Sequence, residues 1–336
     1  MIQYRNRRSA SRERLVLSAM TCVIAALLMA GSAVAQSMAM HHHNETAVDN
    51  PEIIQDWAKK QLAKSPRHSE WVKVKNGTRE VNSFVVYPET NKKATAVIVI
   101  HEIFGMSDWV QQLADEVAEA GYIAIAPDLL SGMGPNGGGT SSFDSNAVRQ
   151  AIGALPPAQL AADLNAVADY VSKLPAANGK VTVGGFCWGG TQTFAFATNR
   201  PSLKAAFVFY GTAPGGNAQG QPFAPNKEAL GKIGAPVYGF YAENDMRINA
   251  TIPQTTDAMK ELNKKYDPVT YAGAGHGFMR AGEPNAPEPK APEAKGDEAV
   301  DKKAADDYQK AVAMYKANRK ARDDAWVRWK AILAKL

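Results

Sequence analysis

The stretch Val181–Ala197, VTVGGFCWGGTQTFAFA, constrains this chain more than any other. A β-branched run ends in Gly184-Gly185, Phe186 precedes Cys187, and Trp188-Gly189-Gly190 opens a segment of helical character. A strand that reverses at once into a helix needs glycine two residues before and two residues after its central side chain, because a Cβ at either place would strike a neighbouring strand or helix. Such a turn holds the Cys187 sulfur above the sheet at a helix N-terminus, where unpaired N–H groups and the helix dipole favour a thiolate and, later, an oxyanion. Two other glycine-loop readings fail. A phosphate-binding loop needs lysine where Gly190 stands, and a dinucleotide fingerprint needs glycine at Phe186 or Cys187. The plainer alternatives are a glycine pair kept for packing and a cysteine that is a small, inert hydrophobe.

The flanking sequence predicts the sheet that such a turn requires. TAVIVI (Thr95 to Ile100) is a continuous β-branched run, the mark of a strand buried on both faces, whereas VNSFVVYP (Val81 to Pro88) alternates like an edge strand. A helix capped by Ser107 and ended by Gly121 follows, then the strand YIAIAP, a helix from about Pro157 to Leu174, the strand KVTVGG and the helix after Cys187. The strands KAAFVFYG and PVYGFYAEND, a helix from about Pro253 to Lys265 and the strand PVTYAGAG complete the alternation. Strands alternating with helices argue an α/β fold built on a mostly parallel sheet. From Ala281 to Lys303 the Pro/Ala/charge-rich sequence reads as a flexible surface excursion, and the segment from Asp306 onward as a terminal helix with Trp326, Trp329 and Leu333 on one face.

The N-terminal region reads differently. Five arginines precede an apolar run from Leu15 to Ala30, and Ala33-Val34-Ala35 supplies the small-x-small pattern of a cleavage site, so residues 1–35 read as a secretory signal peptide. An uncleaved anchor is the alternative, but the run is short of the ~20 residues a spanning helix needs. Arg7-Arg8 hints at twin-arginine export, and Cys22 lacks the setting of a lipid-anchored cysteine. The first 35 residues hold five arginines and one acid, Glu13, so their removal takes the net charge from +5 to +1. A near-neutral chain without a basic stripe gives no reason to expect nucleic acid. The expectation is a periplasmic or secreted monomer without a membrane anchor after cleavage. Residues 36–80 read as a polar N-terminal extension with one short helix at PEIIQDWAKKQLAK and with His41-His42-His43, a solvated tract rather than a metal site.

A cysteine nucleophile requires a base. Of six histidines, three lie in the 41–43 tract and His68 in the extension, which leaves His101 and His276 at strand ends. His276, in GAGHGF, follows the last strand between glycines that let a loop carry the imidazole over the sheet; it is the expected base, titrating within a unit or two of histidine's ~6.5. The orienting acid should fall between nucleophile and histidine in the chain. Asp245 at the end of PVYGFYAEND fits, with Glu243 and then Asp267 as alternatives.

With these residues placed, the region from about Val81 to Arg280 resembles the dienelactone hydrolases, α/β-hydrolases with a Cys-Asp-His triad. The resemblance rests on HEIFG (His101 to Gly105), APDLL (Ala126 to Leu130), GGFCWGG, Asp245 and GHGFMR. It implies that Glu102 holds the resting thiol and helps to deprotonate it, and that the N–H groups of Ile103 and Trp188 form the oxyanion hole. It also implies that Arg280 is one of two arginines gripping a substrate carboxylate. Leu130-Ser131-Gly132 offers no arginine for the other. Glu102 follows a buried strand, where a carboxylate is poorly solvated and able to take a proton; its alternative is to pair with a nearby arginine. His101-Glu102 as a zinc motif fails because position 105 is glycine. Arg280 could instead pair with Glu283 at the surface. The resemblance implies hydrolysis of small esters or lactones through an acyl-enzyme, with no cofactor and no metal. The competing class is a non-catalytic or redox thiol protein on the same scaffold.

Overall fold

The computed structural model describes residues 54–217, 221–281, 288–293 and 295–336, all within the compact unit Val48–Leu336. The leader read in residues 1–35 and the His41–His43 tract lie outside the described residues. In chain order the principal elements are α1 (Asp56–Leu62), β1 (Ser69–Asn76), β2 (Arg79–Val86), β3 (Ala94–Ile100), α2 (Asp108–Glu119), β4 (Ile123–Pro127), α3 (Ser145–Gly153) and α4 (Pro157–Ser172). They continue with β5 (Ala177–Phe186), α5 (Trp188–Asn199), β6 (Ala206–Phe209), β7 (Val237–Ala242), α6 (Ile252–Glu261), β8 (Tyr266–Tyr271) and α7 (Glu298–Leu333).

The strands form one eight-stranded sheet in the order β1-β2-β4-β3-β5-β6-β7-β8. From β4 to β8 every pairing is parallel, and β1 and β2 are antiparallel to their neighbours. All seven residues of β3 are buried, as its uninterrupted β-branched run predicts for a strand covered on both faces. One face packs against α3, α4, α5 and α6 through side chains such as Leu164, Phe194 and Met259. The other packs against α2 and α7 through Trp109, Val117 and Trp329. Ser107 caps α2 by accepting a hydrogen bond from the Val110 N–H, and Gly121 follows its end at φ +98°.

The structure corrects the sequence reading in three places. β2 is not an edge strand: β1 lies outside it, pairing from Ser69↔Val86 to Asn76↔Arg79, and Ser83–Val86 is fully enclosed. The edge strand itself, SEWVKVKN, is mostly exposed, so it carries little of the apolar signal that marks inner strands. A helix not anticipated, α3, stands in the glycine- and serine-rich stretch after β4 and is capped by the Asp144 carboxylate on the Ala147 N–H. α7 starts at Glu298, where Asp297 accepts from the N–H groups of Ala299 and Val300, so residues 298–303 belong to the helix rather than to the flexible excursion. Among the described residues no helix is long and apolar enough to cross a membrane.

Candidate active site

Cys187 sits between β5 and α5 at φ +58° and ψ −117°, backbone angles that a side chain tolerates only when its surroundings enforce them. The enforcement is visible in the glycines. A Cβ on Gly185 would lie 2.2 Å from the Gly189 carbonyl oxygen, and one on Gly189 would lie 2.3 Å from the His101 oxygen and 2.5 Å from that of Ile100. α5 therefore starts in contact with the end of β3, and the turn has no room to relax. The Cys187 N–H donates to the Phe209 oxygen at 3.1 Å, and its own carbonyl accepts from Gly190 at 3.0 Å. The thiol is half-buried, and Trp188 occupies the first helical position, where an N–H lacks an intrahelical acceptor.

His276 reaches this thiol from the loop after β8. Its Nδ1–H donates to Asp245 Oδ2 at 2.5 Å, and the Cys187 side chain lies near enough to the ring to influence its titration. Burial pulls the imidazole pKa down, but the bonds to Asp245 and to Cys187, with the charges of both, carry it up to about 10. This lies well above the range near 6.5 that its sequence setting suggested. The neighbouring Asp245 and Cys187 together outweigh the loss of solvent. Asp245 is buried and is the acid the fold delivers to His276. Glu243 instead accepts the Gly273 N–H at 2.7 Å, and Asp267 pairs with Arg328 at 3.2 Å.

His101 is fully buried and stacked on Trp188 with ring centroids 5.6 Å apart. Its Nδ1–H donates to the Glu102 carbonyl at 2.8 Å, and its Nε2 accepts from the Leu129 N–H at 3.4 Å. Burial lowers its pKa against the pull of Asp128, so it is a neutral ring that shapes the loop after β3. The Glu102 carbonyl also accepts from Gly105 at 3.1 Å. In a trans peptide the next N–H points the opposite way, so these bonds turn the Ile103 N–H away from His101. The far side of the loop is fixed by Thr140, which accepts from the Met106 N–H at 3.1 Å and donates to Asp128 at 2.7 Å.

The Glu102 side chain is buried and accepts from Arg280 Nη1 at 3.3 Å. Burial pushes its carboxyl above the usual glutamate range, opposed by Arg280 and then His276. The resemblance implied that Glu102 holds the thiol; the partner its carboxylate has here is Arg280, the pairing its buried position also allowed. Glu283, the other partner considered for Arg280, lies outside the described residues. The Arg280 guanidinium stands 5.4 Å from the centre of the Phe104 ring, and Arg149 of α3 stands 5.2 Å from the same ring. Sequence reasoning missed Arg149 because α3 was missed. It also missed Tyr210, at φ +41° directly after β6, whose ring meets His276 edge-on at 4.9 Å. The only sequence signal for Tyr210 is its place at a strand end. Among the described residues no group of three or more His, Cys, Asp or Glu side chains could hold a metal ion.

Comparison with known proteins agrees with this architecture. The profile of the dienelactone hydrolase family matches residues 81–335. A Salmonella typhi protein described as "Putative carboxymethylenebutenolidase" is 33% identical over 184 residues, which cover 54% of this chain and 67% of that protein. A Saccharolobus solfataricus protein of the same description is 30% identical over 232 residues, covering 60% of this chain and 84% of the relative. A crystal structure described as a "Putative Dienelactone Hydrolase" of Klebsiella pneumoniae superposes with a TM-score of 0.61 at 24% identity, covering 80% of this chain and 99% of that one, a likeness of fold. The parallel sheet, the strand-to-helix turn around Cys187 and the profile match together establish that this chain is an α/β-hydrolase enzyme belonging to the dienelactone hydrolase family.

Proposed function

We propose that the protein hydrolyses small esters or lactones through a covalent acyl-cysteine, with Cys187, His276 and Asp245 as its triad. The observation that carries this reading is the buried Asp245 carboxylate bonded to His276, whose ring is influenced by the Cys187 side chain beside it, with Cys187 itself held at φ +58°. Cys187 attacks the carbonyl carbon as the thiolate, and the N–H groups of Ile103 and Trp188 receive the oxyanion. The bond to the alkoxide breaks as the His276 imidazolium gives it a proton. The imidazole, now neutral, takes a proton from water, whose oxygen attacks the thioester; the acid departs and the thiolate–imidazolium pair is restored. Asp245 keeps the Nδ1–H in place throughout.

Arg280 and Arg149, on one aromatic ring next to the Glu102–Ile103 loop, support a preference for substrates carrying a carboxylate. Glu102 holds Arg280 in position, and burial makes its carboxylate more basic, a second group able to take the thiol proton. The leader-like residues 1–35 support a site of action outside the cytoplasm, periplasmic or secreted. The test is a screen of p-nitrophenyl esters, enol lactones and aliphatic lactones with the protein purified without residues 1–35, beside its Cys187→Ala variant. Turnover is expected for at least one class and is expected to vanish in the variant. Equal turnover by both proteins would overturn the assignment.

A further inference from the structure

The loop that carries His276 is rich in glycine. Gly273 and Gly277 bracket it at φ +69° and φ +79°, and Gly275 immediately precedes the histidine. An imidazole on such a loop must keep one nitrogen on Asp245 and the other on the sulfur at the same time, and a glycine-rich backbone does not by itself hold that geometry. Several tethers supply the constraint, among them the Asn244 side-chain amide, which donates to the Gly273 carbonyl at 2.9 Å. The Asn244 N–H donates to the Ala274 carbonyl at 2.9 Å, and Glu243 Oε2 accepts from Gly273 at 2.7 Å. Another comes from a distant part of the chain: Asn318 Oδ1, on α7, accepts from the Gly275 N–H at 2.7 Å.

α7 is seated to make that contact reproducible. Ala321, Ala325, Trp329 and Leu333 recur every four residues and are all buried, so one stripe of the helix is fixed on the sheet. The Trp329 ring lies over Gly184, where an added Cβ would come within 2.9 Å of it. Gly184 is three residues before Cys187, and Asn318 sits about three turns before Trp329 on the same helix. A Cβ added to Gly273 would lie 3.0 Å from Ala317, so the helix also limits how far the loop can swing. One rigid element thus touches both the strand that presents the nucleophile and the loop that presents the base.

We propose that Asn318 is a positioning residue for His276, its side-chain oxygen holding the backbone that presents the imidazole to Cys187. This rests on the triad reading above. The test compares Asn318→Leu, which removes the acceptor, with Asn318→Asp, which keeps it. Two quantities are measured in the full-length protein: kcat and KM on an ester that the wild type hydrolyses, and the pH profile of Cys187 alkylation by iodoacetamide. In Asn318→Leu, kcat is expected to fall about tenfold, the worth of one hydrogen bond, with KM within about twofold. The alkylation profile is expected to shift as the thiol–imidazole contact loosens. Asn318→Asp is expected to restore kcat to within about threefold of wild type. A wild-type kcat and an unmoved alkylation profile in Asn318→Leu would overturn the proposal, as would an aspartate variant as impaired as the leucine variant. If Asn318→Leu does not fold, Asn318→Ser, too short to reach Gly275, is judged by the same two outcomes. Alkylation does not depend on turnover, so a protein inactive on every ester would defeat the hydrolase reading while leaving this inference testable.

Discussion

At the scale of the residue, the site stores strain and charge. Cys187 holds a backbone conformation that glycine adopts freely, so Cys187→Gly should abolish turnover yet raise stability by about 1 kcal/mol over Cys187→Ala in denaturant unfolding. The charge is on His276. With its pKa raised to about 10, the imidazolium to which the proposed mechanism assigns the leaving-group proton persists through neutral pH, and kcat/KM should fall as pH rises through that value. The same pair contributes stability that is complete below histidine's unfolded value of ~6.5 and is lost as pH climbs to 10. Asp245→Asn should move the alkaline limb downward and reduce kcat by orders of magnitude, read from pH–rate profiles of both proteins. Arg280→Ala and Arg149→Ala should each cost an ester or lactone bearing a carboxylate about 1.5–3 kcal/mol in kcat/KM and a neutral analogue little. Equal losses on both substrates would assign Arg280 to Glu102 alone. The triad candidates were legible because each occupies a strand end, in the chain order this fold imposes. The state of His276 was not legible, since it depends on a sulfur and a carboxylate converging from separate strands. Arg149 was invisible for a similar reason: its meeting with Phe104 exists only in three dimensions.

At the scale of the element, runs buried on both faces were the easiest to read, and β3, β5 and β7 stand where their apolar runs put them. Elements that carry little hydrophobic signal were harder. β1 is polar because it has one neighbour and a solvated face, and α3 sits among turn residues that outweigh its short apolar stripe. α7 was recognised from Asp306 onward, where Trp329 and Leu333 meet the sheet; its mostly exposed first two turns have no buried side to announce them. Trp329 is fully buried among Phe186, Phe207 and Phe209, with ring centroids 5.1 to 6.1 Å away. Trp329→Ala should therefore destabilise the protein by about 3–5 kcal/mol in urea unfolding. Its indole N–H has no partner, so Trp329→Phe should cost far less, on the order of 1 kcal/mol.

At the scale of the whole molecule, the polar segment before Val81 is less of an appendage than its composition suggests. Arg79 spans from β2 to Asp163 of α4, with Nε at 2.9 Å from the carboxylate, and its other nitrogens donate to the Ser131 and Leu129 carbonyls at 2.6 and 2.9 Å. Asp163 is completely buried, so Arg79→Met would leave an uncompensated charge and should cost about 3–5 kcal/mol, measured by equilibrium unfolding. The placement of α7 has a further consequence, one of timing. The helix is made after every strand of the sheet, so a nascent chain can have produced β1 to β8 while the Gly184 face is still bare and the His276 loop still lacks Asn318. During synthesis the surroundings of Cys187 would then be completed last, when the remainder of the fold is already in place to confine it.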